Sequence, residues 1–219
     1  MRACRVCVAV LILAVLMAGV ACGATVTYRK QVDGVRTTVT PVIGGMSPEV
    51  ERAVNEALES LVEAEVASAT SEEEPMEHVM EGLAELVGAS LLSFSFYEMV
   101  CYEWAAHPSS RMWGITFDSA TGDEILLGDL FIAGSDWRDS VDRLVRREVA
   151  RQEAEEGLVL GDDGCPDLSR YSDQFFLRPG RLVFFWMIYQ FTPPCCGHPE
   201  FELPISELMP YLNPDYSPW

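Results

Sequence analysis

Asp33-Gly34 stands between two alternating runs, Val26 to Val32 and Val35 to Ile43, and no other feature constrains the fold more. A type I′ turn needs positive φ at both central residues, and Asp-Gly meets that need, so the two runs predict a hairpin. Gly44-Gly45 then frees the chain to turn. Ser47-Pro48-Glu49 opens a helix with a hydroxyl cap, a proline at the first helical position and an early acid. Val50, Val54, Leu58, Leu61, Val62 and Val66 recur at helical spacing and give that helix one apolar face.

Downstream, Ser68 to Pro75 is polar, with Glu72-Glu73-Glu74 at its centre, and reads as a surface loop. Met76, Val79, Met80, Leu83 and Leu86 then predict a second, short helix. Leu91 to Trp104 alternates in aromatic and β-branched residues and predicts one long strand or a hairpin arm, and Met112 to Phe117 predicts another strand. A helix begins near Ser135-Asp136 and carries Trp137, Val141, Leu144, Val145 and Val149 on its buried stripe. Strands at Phe175 to Leu177, Leu182 to Tyr189 and Glu202 to Pro204 surround the turn Arg178-Pro179-Gly180-Arg181. Ser206 caps a last short helix. Strands arriving in runs between a few helices describe an α+β single domain, its mostly antiparallel sheet packed with about three to four helices.

Ahead of the hairpin, Arg2 and Arg5 precede the apolar run Val8 to Val20 and the small residues Gly19, Ala21, Gly23 and Ala24. That arrangement predicts an export signal over 1–22, and no later apolar run is long enough to span a bilayer. Residues 23–40 then form a hairpin region, 41–212 the main domain and 213–219 a tail. Cys22 follows Gly19-Val20-Ala21, a partial lipobox, so lipidation of Cys22 and ordinary cleavage nearby both fit. The expected location is extracytoplasmic: secreted, periplasmic or lipid-anchored at the cell envelope, with the membrane touched only through such an anchor.

The 34 acidic residues face 15 basic ones, a formal charge of −19, and Lys30 is the sole lysine. Losing the signal would remove two arginines and no acid. Such a charge disfavours nucleic acid and draws in basic partners at low salt, although acidity also serves plain solubility. Export makes disulfides possible, with Cys165 joined to Cys195 or Cys196, or Cys195 joined to Cys196; Cys101 reads as a buried thiol.

No catalytic, metal or cofactor site is predicted. The histidines His78, His107 and His198 lack metal-ligand spacing, no C-x-x-C follows the predicted export signal, no G-x-S-x-G occurs, and Asp162-Asp163-Gly164 with Asp167 does not meet the calcium-loop pattern. Trp113 and Trp219 are candidates for an exposed sugar platform.

The order of short cues carries more. Pro41-Val42-Ile43-Gly44-Gly45 leads into a helix bearing Asn55, followed by Leu92-Ser93-Phe94-Ser95-Phe96 and then Trp104-Ala105-Ala106-His107-Pro108. Asp118, Gly122, Leu127-Gly128-Asp129-Leu130-Phe131 and the run Tyr189 to Leu208 complete the series. Over about Pro41 to Leu212 this resembles the extracytoplasmic domain of RsiV-type anti-sigma factors (domain of unknown function 3298), which also precedes the catalytic domain of some peptidoglycan deacetylases. The resemblance implies an α+β fold and, by analogy with a lysozyme-sensing ectodomain, a partner that is a basic protein such as lysozyme, or else peptidoglycan. It places the motif loops at His107, Pro108 and His198 near a binding face. The sigma-binding segment, the membrane span and the deacetylase domain have no counterpart in the sequence. The expected function is thus an exported, non-enzymatic envelope-binding module. The alternatives are an envelope hydrolase using His107 or His198, or a scaffold lipoprotein with no ligand.

Overall fold

The structure, a computed structural model, describes residues 11–13, 23–69, 74–158, 174–188, 190, 192, 197–216 and 219. The fold is α+β. Its elements are β1 (Leu11–Leu13), β2 (Thr25–Asp33), β3 (Arg36–Gly44), α1 (Pro48–Ala69), β4 (Glu77–Val87), β5 (Leu91–Cys101), β6 (Ser109–Asp118), α2 (Trp137–Glu155), β7 (Phe175–Arg178), β8 (Arg181–Phe185) and β9 (Glu200–Pro204). One mixed sheet runs in the order β2-β3-β4-β5-β6, with the three-residue β1 laid against β2. A second sheet runs β7-β8-β9. The chain divides into two compact units, Met1–Leu83 with Phe96–Ser110, and Ala84–Ser95 with Arg111–Trp219.

In the first unit the expected hairpin forms. β2 and β3 pair antiparallel from Thr25↔Gly44 to Asp33↔Arg36, and Gly34 turns the chain at φ 60°. Helix α1 starts where its signals stand: Ser47 Oγ accepts from the Val50 N–H at 3.4 Å and Glu51 accepts from the Met46 N–H at 2.9 Å, meeting donors that a helix start leaves open. Val50, Val54, Leu58 and Val62 are its buried stripe. Asn55 clamps the helix to β3, accepting from the Ile43 N–H at 2.8 Å and donating to the Ile43 carbonyl at 2.9 Å. That helix is a crossover, because β3 and β4 pair in parallel from Arg36↔His78 to Val39↔Glu81.

β4 corrects the helix expected from Met76 to Leu86. The apolar residues there do recur at helical spacing, yet Met76 and Leu83 are exposed. What is buried follows a period of two: His78, Met80 and Gly82 face inward between exposed Glu77, Glu81 and Leu83. A polar histidine and a glycine disguised the inward face as a gap. A side chain at position 82 would press on the Phe96 ring, 2.5 Å from an added Cβ. Pairing with β3 therefore outweighs local helical periodicity.

The second unit is built on aromatic burial. Trp137, Val141, Leu144, Val145 and Val149 of α2 join one core cluster with Phe175, Leu182, Phe184, Trp186, Phe201 and Leu203. Gln152 ties α2 to β9 by donating to the Glu200 carbonyl at 2.8 Å. On the other side of β7 and β8, Phe176, Val183 and Phe185 pack with Met112. Gly114 is needed there, since an added Cβ would lie 1.8 Å from the Phe175 carbonyl oxygen. Buried Ser93 bonds Thr116 at 2.8 Å and accepts from the Leu177 N–H at 2.9 Å. The turn Arg178-Pro179-Gly180-Arg181 joins β7 to β8 as expected, with Arg178 paired to Arg181.

Other expectations shift. Two α-helices stand among the described residues, rather than three or four, and the short helix expected at Ser206 is a pair of 3₁₀ turns, Ile205–Glu207 and Met209–Tyr211. The strand expected from Leu182 to Tyr189 ends at Phe185. No described helix is long and apolar enough to cross a membrane, which says nothing of strand-built barrels.

Candidate functional site

One end of the first unit carries several of its exposed apolar side chains. The Val35 carbonyl accepts from the His78 N–H at 3.0 Å and the Cys101 carbonyl from the Met76 N–H at 2.8 Å. These bonds align the β2–β3 turn, the entry to β4 and the exit from β5. Val32, Val35 and Met76 are exposed there, and three residues past Cys101 stands Trp104, 86% exposed. Tryptophan is highly buried on average, so an indole this open is informative in a way that a single exposed valine is not. Asp33, Glu74, Glu77 and Glu103, all exposed, lie in the same turn and strand ends. Arg36 is held by Glu74 at 2.9 Å. The loop continues through His107, whose Nδ1 lies 3.1 Å from the Pro108 carbonyl. His107 and Pro108 are both exposed.

Within the same unit is a closed polar pair. His78 Nε2 lies 2.9 Å from a Glu98 carboxylate oxygen, and the two side chains are 0% and 1% exposed. His78 Nδ1 is buried with no hydrogen-bond partner. An imidazole held by a carboxylate is the base-and-orienter half of a catalytic triad. With no hydroxyl or thiol bonded at Nδ1 and no path to solvent, this pair lacks the nucleophile that would complete one. Reading the sequence missed the contact because His78 sat inside a supposed helix.

The second unit holds the other site candidates. His198 is half-buried, with Nδ1 3.2 Å from the Trp186 carbonyl. Burial pulls its pKa below the usual imidazole value, against the opposing effect of that carbonyl. His107 and His198 thus fall in different units. Trp113 is half-buried with the Arg111 guanidinium 5.1 Å from its ring centre, and half-buried Trp219 donates its indole N–H to the Arg181 carbonyl at 3.3 Å. Neither stands open as Trp104 does. Trp104 was legible only as part of a motif; its position between two strands, next to Glu103, was the available signal.

Cys101 is a free thiol, half-buried rather than buried. Cys22, Cys165, Cys195, Cys196, the acidic loop Asp162 to Asp167 and the export segment apart from Leu11–Leu13 lie outside the described residues. Among the described residues no group of three His, Cys, Asp or Glu side chains is placed to hold a metal ion.

Three comparisons bear on this geometry. Residues 128–206 match the family model described as a protein of unknown function, DUF3298. The fold is similar to the crystal structure of a DUF3298 family protein from Pseudomonas aeruginosa PAO1, with TM-score 0.60, 13% identity and 98% of each chain covered. A member of the same family from Bacteroides fragilis NCTC 9343 gives TM-score 0.60 at 13% identity over 97% of each chain. At that identity the likeness is one of fold alone. A protein named as an esterase, from Mycobacterium tuberculosis (strain ATCC 25618 / H37Rv), is 29% identical over 105 residues, 48% of this chain and 45% of that protein. The match therefore spans less than half the length of that relative.

Proposed function

We propose, from the match of residues 128–206 to the DUF3298 family model, that this chain is an exported, non-enzymatic binding module of the cell envelope. Its partner is a basic protein such as lysozyme, with peptidoglycan as the other envelope ligand of the same reading. The observation that carries this is Trp104, 86% exposed, three residues past Cys101, whose carbonyl accepts from the N–H of exposed Met76. An exposed aromatic side chain is a usual anchor of a binding hot spot. The chain's formal charge of −19 favours rapid association with a cationic surface, an attraction that weakens as salt rises.

Calorimetric titration of the purified protein with hen lysozyme at two salt concentrations tests this reading. Saturable heat that survives physiological salt and is lost in Trp104→Ala supports it. Heat that disappears at physiological salt, or that Trp104→Ala leaves unchanged, reduces the interaction to charge attraction and overturns it.

The named esterase relative favours a second reading, an envelope hydrolase. His107, exposed in its loop, and half-buried His198 are the bases it would use. Turnover of a p-nitrophenyl ester by the wild type, abolished in the double variant His107→Ala/His198→Ala with lysozyme binding intact, would establish it. Absence of turnover in the wild type removes it.

A further inference from the structure

A groove of about 530 Å³ opens in the second unit, within the size range of ligand sites. Ile125, Phe131, Ile132 and Pro214 form its apolar wall, and Asp129 and Tyr216 its polar side. The base is fixed by backbone. Phe131 bridges Leu212, the Ile132 N–H donates to the Tyr211 carbonyl at 2.8 Å, and the Asn213 N–H donates to the Leu130 carbonyl at 2.9 Å. Asp129 is held in place, accepting from the Leu126 N–H at 3.0 Å and so closing the 3₁₀ turn Leu127–Leu130.

The charge of the groove is one-sided. Among the described residues, no Lys, Arg or His lines it. The Tyr216 phenol is hydrogen-bonded to Asp118, and burial, followed by the charges of Asp118, Asp129 and Asp215, raises its pKa. Asp118 is itself oriented by the Ala120 and Thr121 N–H groups at 2.7 and 3.1 Å. A bare metal ion fits poorly, because the described residues bring no three ligands together. An anion is repelled. What suits an apolar wall beside a carboxylate that no basic side chain of the groove offsets is a cation carried on an aliphatic stem.

We propose that this groove binds a lysine or arginine side chain presented by an extended peptide segment. The stem lies along Ile132, Phe131 and Pro214, the charged head meets Asp129 near the Tyr216 phenol, and the groove's volume leaves room for flanking residues. The proposal rests on the basic-partner reading only for the sign of the ligand's charge, and it assigns that ligand to residues far in sequence from Trp104.

Two acetylated, amidated pentapeptides, Gly-Leu-Lys-Leu-Gly and its norleucine counterpart, titrated into the isotope-labelled full chain and followed by NMR, test it. The lysine peptide is expected to give saturable shifts at Ile125, Phe131 and Ile132. The norleucine peptide should bind about tenfold more weakly, and Asp129→Asn, whose amide oxygen still accepts from Leu126, should weaken the lysine peptide about threefold. Ile132→Ser, at an exposed position, should weaken both peptides. Trp104→Ala should leave the titration unchanged while it removes lysozyme heat, so the two readings fail separately. Equal binding of the two peptides, shifts confined to residues outside the groove, or loss of peptide binding in Trp104→Ala would each overturn the proposal.

Discussion

The two units solve the problem of a buried interior differently. The second unit fills its core with aromatic rings: Phe175, Phe176, Phe184, Phe185, Trp186 and Phe201 are all 5% exposed or less. The first unit buries aliphatic side chains along α1 but also places Thr38, Thr40, His78 and Glu98 out of solvent. Apolar area stabilises without regard to direction, whereas a buried imidazole–carboxylate pair stabilises only when both partners are present and aligned. The units also treat tryptophan in opposite ways, with Trp186 fully buried and Trp104 almost fully exposed. Aromatic bulk dominates the second unit, whose buried Ser93, Thr116 and Gln152 add polar ties, whereas the first unit buries an ionisable pair and leaves Trp104 outside.

The sharpest test of this contrast is Phe184→Ala. Deleting a fully buried ring that packs against Trp186 is expected to cost about 3–5 kcal/mol in denaturant unfolding. A loss under 1 kcal/mol would mean that the aromatic cluster does not carry the second unit. A smaller effect, about 2 kcal/mol, is expected for Glu98→Leu, which leaves the His78 imidazole buried without its acceptor. Adding His78→Leu should recover part of that loss, since the stranded polar group is then gone. A double variant as unstable as the sum of the two single ones would show that the pair is not coupled.

The smallest effect concerns pH. His198 has its pKa lowered in the folded chain, chiefly by burial, so the unfolded chain takes up a proton first as pH falls. Its contribution to stability is therefore complete above the ordinary imidazole value of about 6.5 and declines as pH drops through it. Unfolding midpoints measured from pH 7.5 down to 5 should fall less steeply in His198→Gln than in the wild type. Identical slopes would rule out His198 as a contributor.

Much of this was legible in the sequence where the cause is local. Asp33-Gly34 marked the hairpin and Ser47-Pro48 marked the start of α1, because turn and cap geometry depend on a few adjacent residues. The stripe from Trp137 to Val149 marked α2 for the same reason. The ordered cues Asp118, Gly122 and Leu127 to Phe131 were visible as a family resemblance, but the groove they help to form needed residues near position 213, more than eighty positions away. The site on the first unit was hidden in another way. Trp186 follows the apolar run Leu182 to Phe185 and Trp104 follows Glu103, but how far each ring is exposed is decided by what the rest of the chain packs against it.

The sequence by itself determined which segments turn, cap and carry an apolar face, through steric and hydrogen-bonding preferences acting over a few residues. Only the tertiary structure decided that Glu77–Val87 is a strand, that it lies parallel to β3, and that His78 meets Glu98. The parallel pairing depends on partners brought together by the α1 crossover, and the His78–Glu98 contact on β5 lying beside β4. Burial of the inward-facing His78, Met80 and Gly82 outweighs the helical spacing written along the same eleven residues.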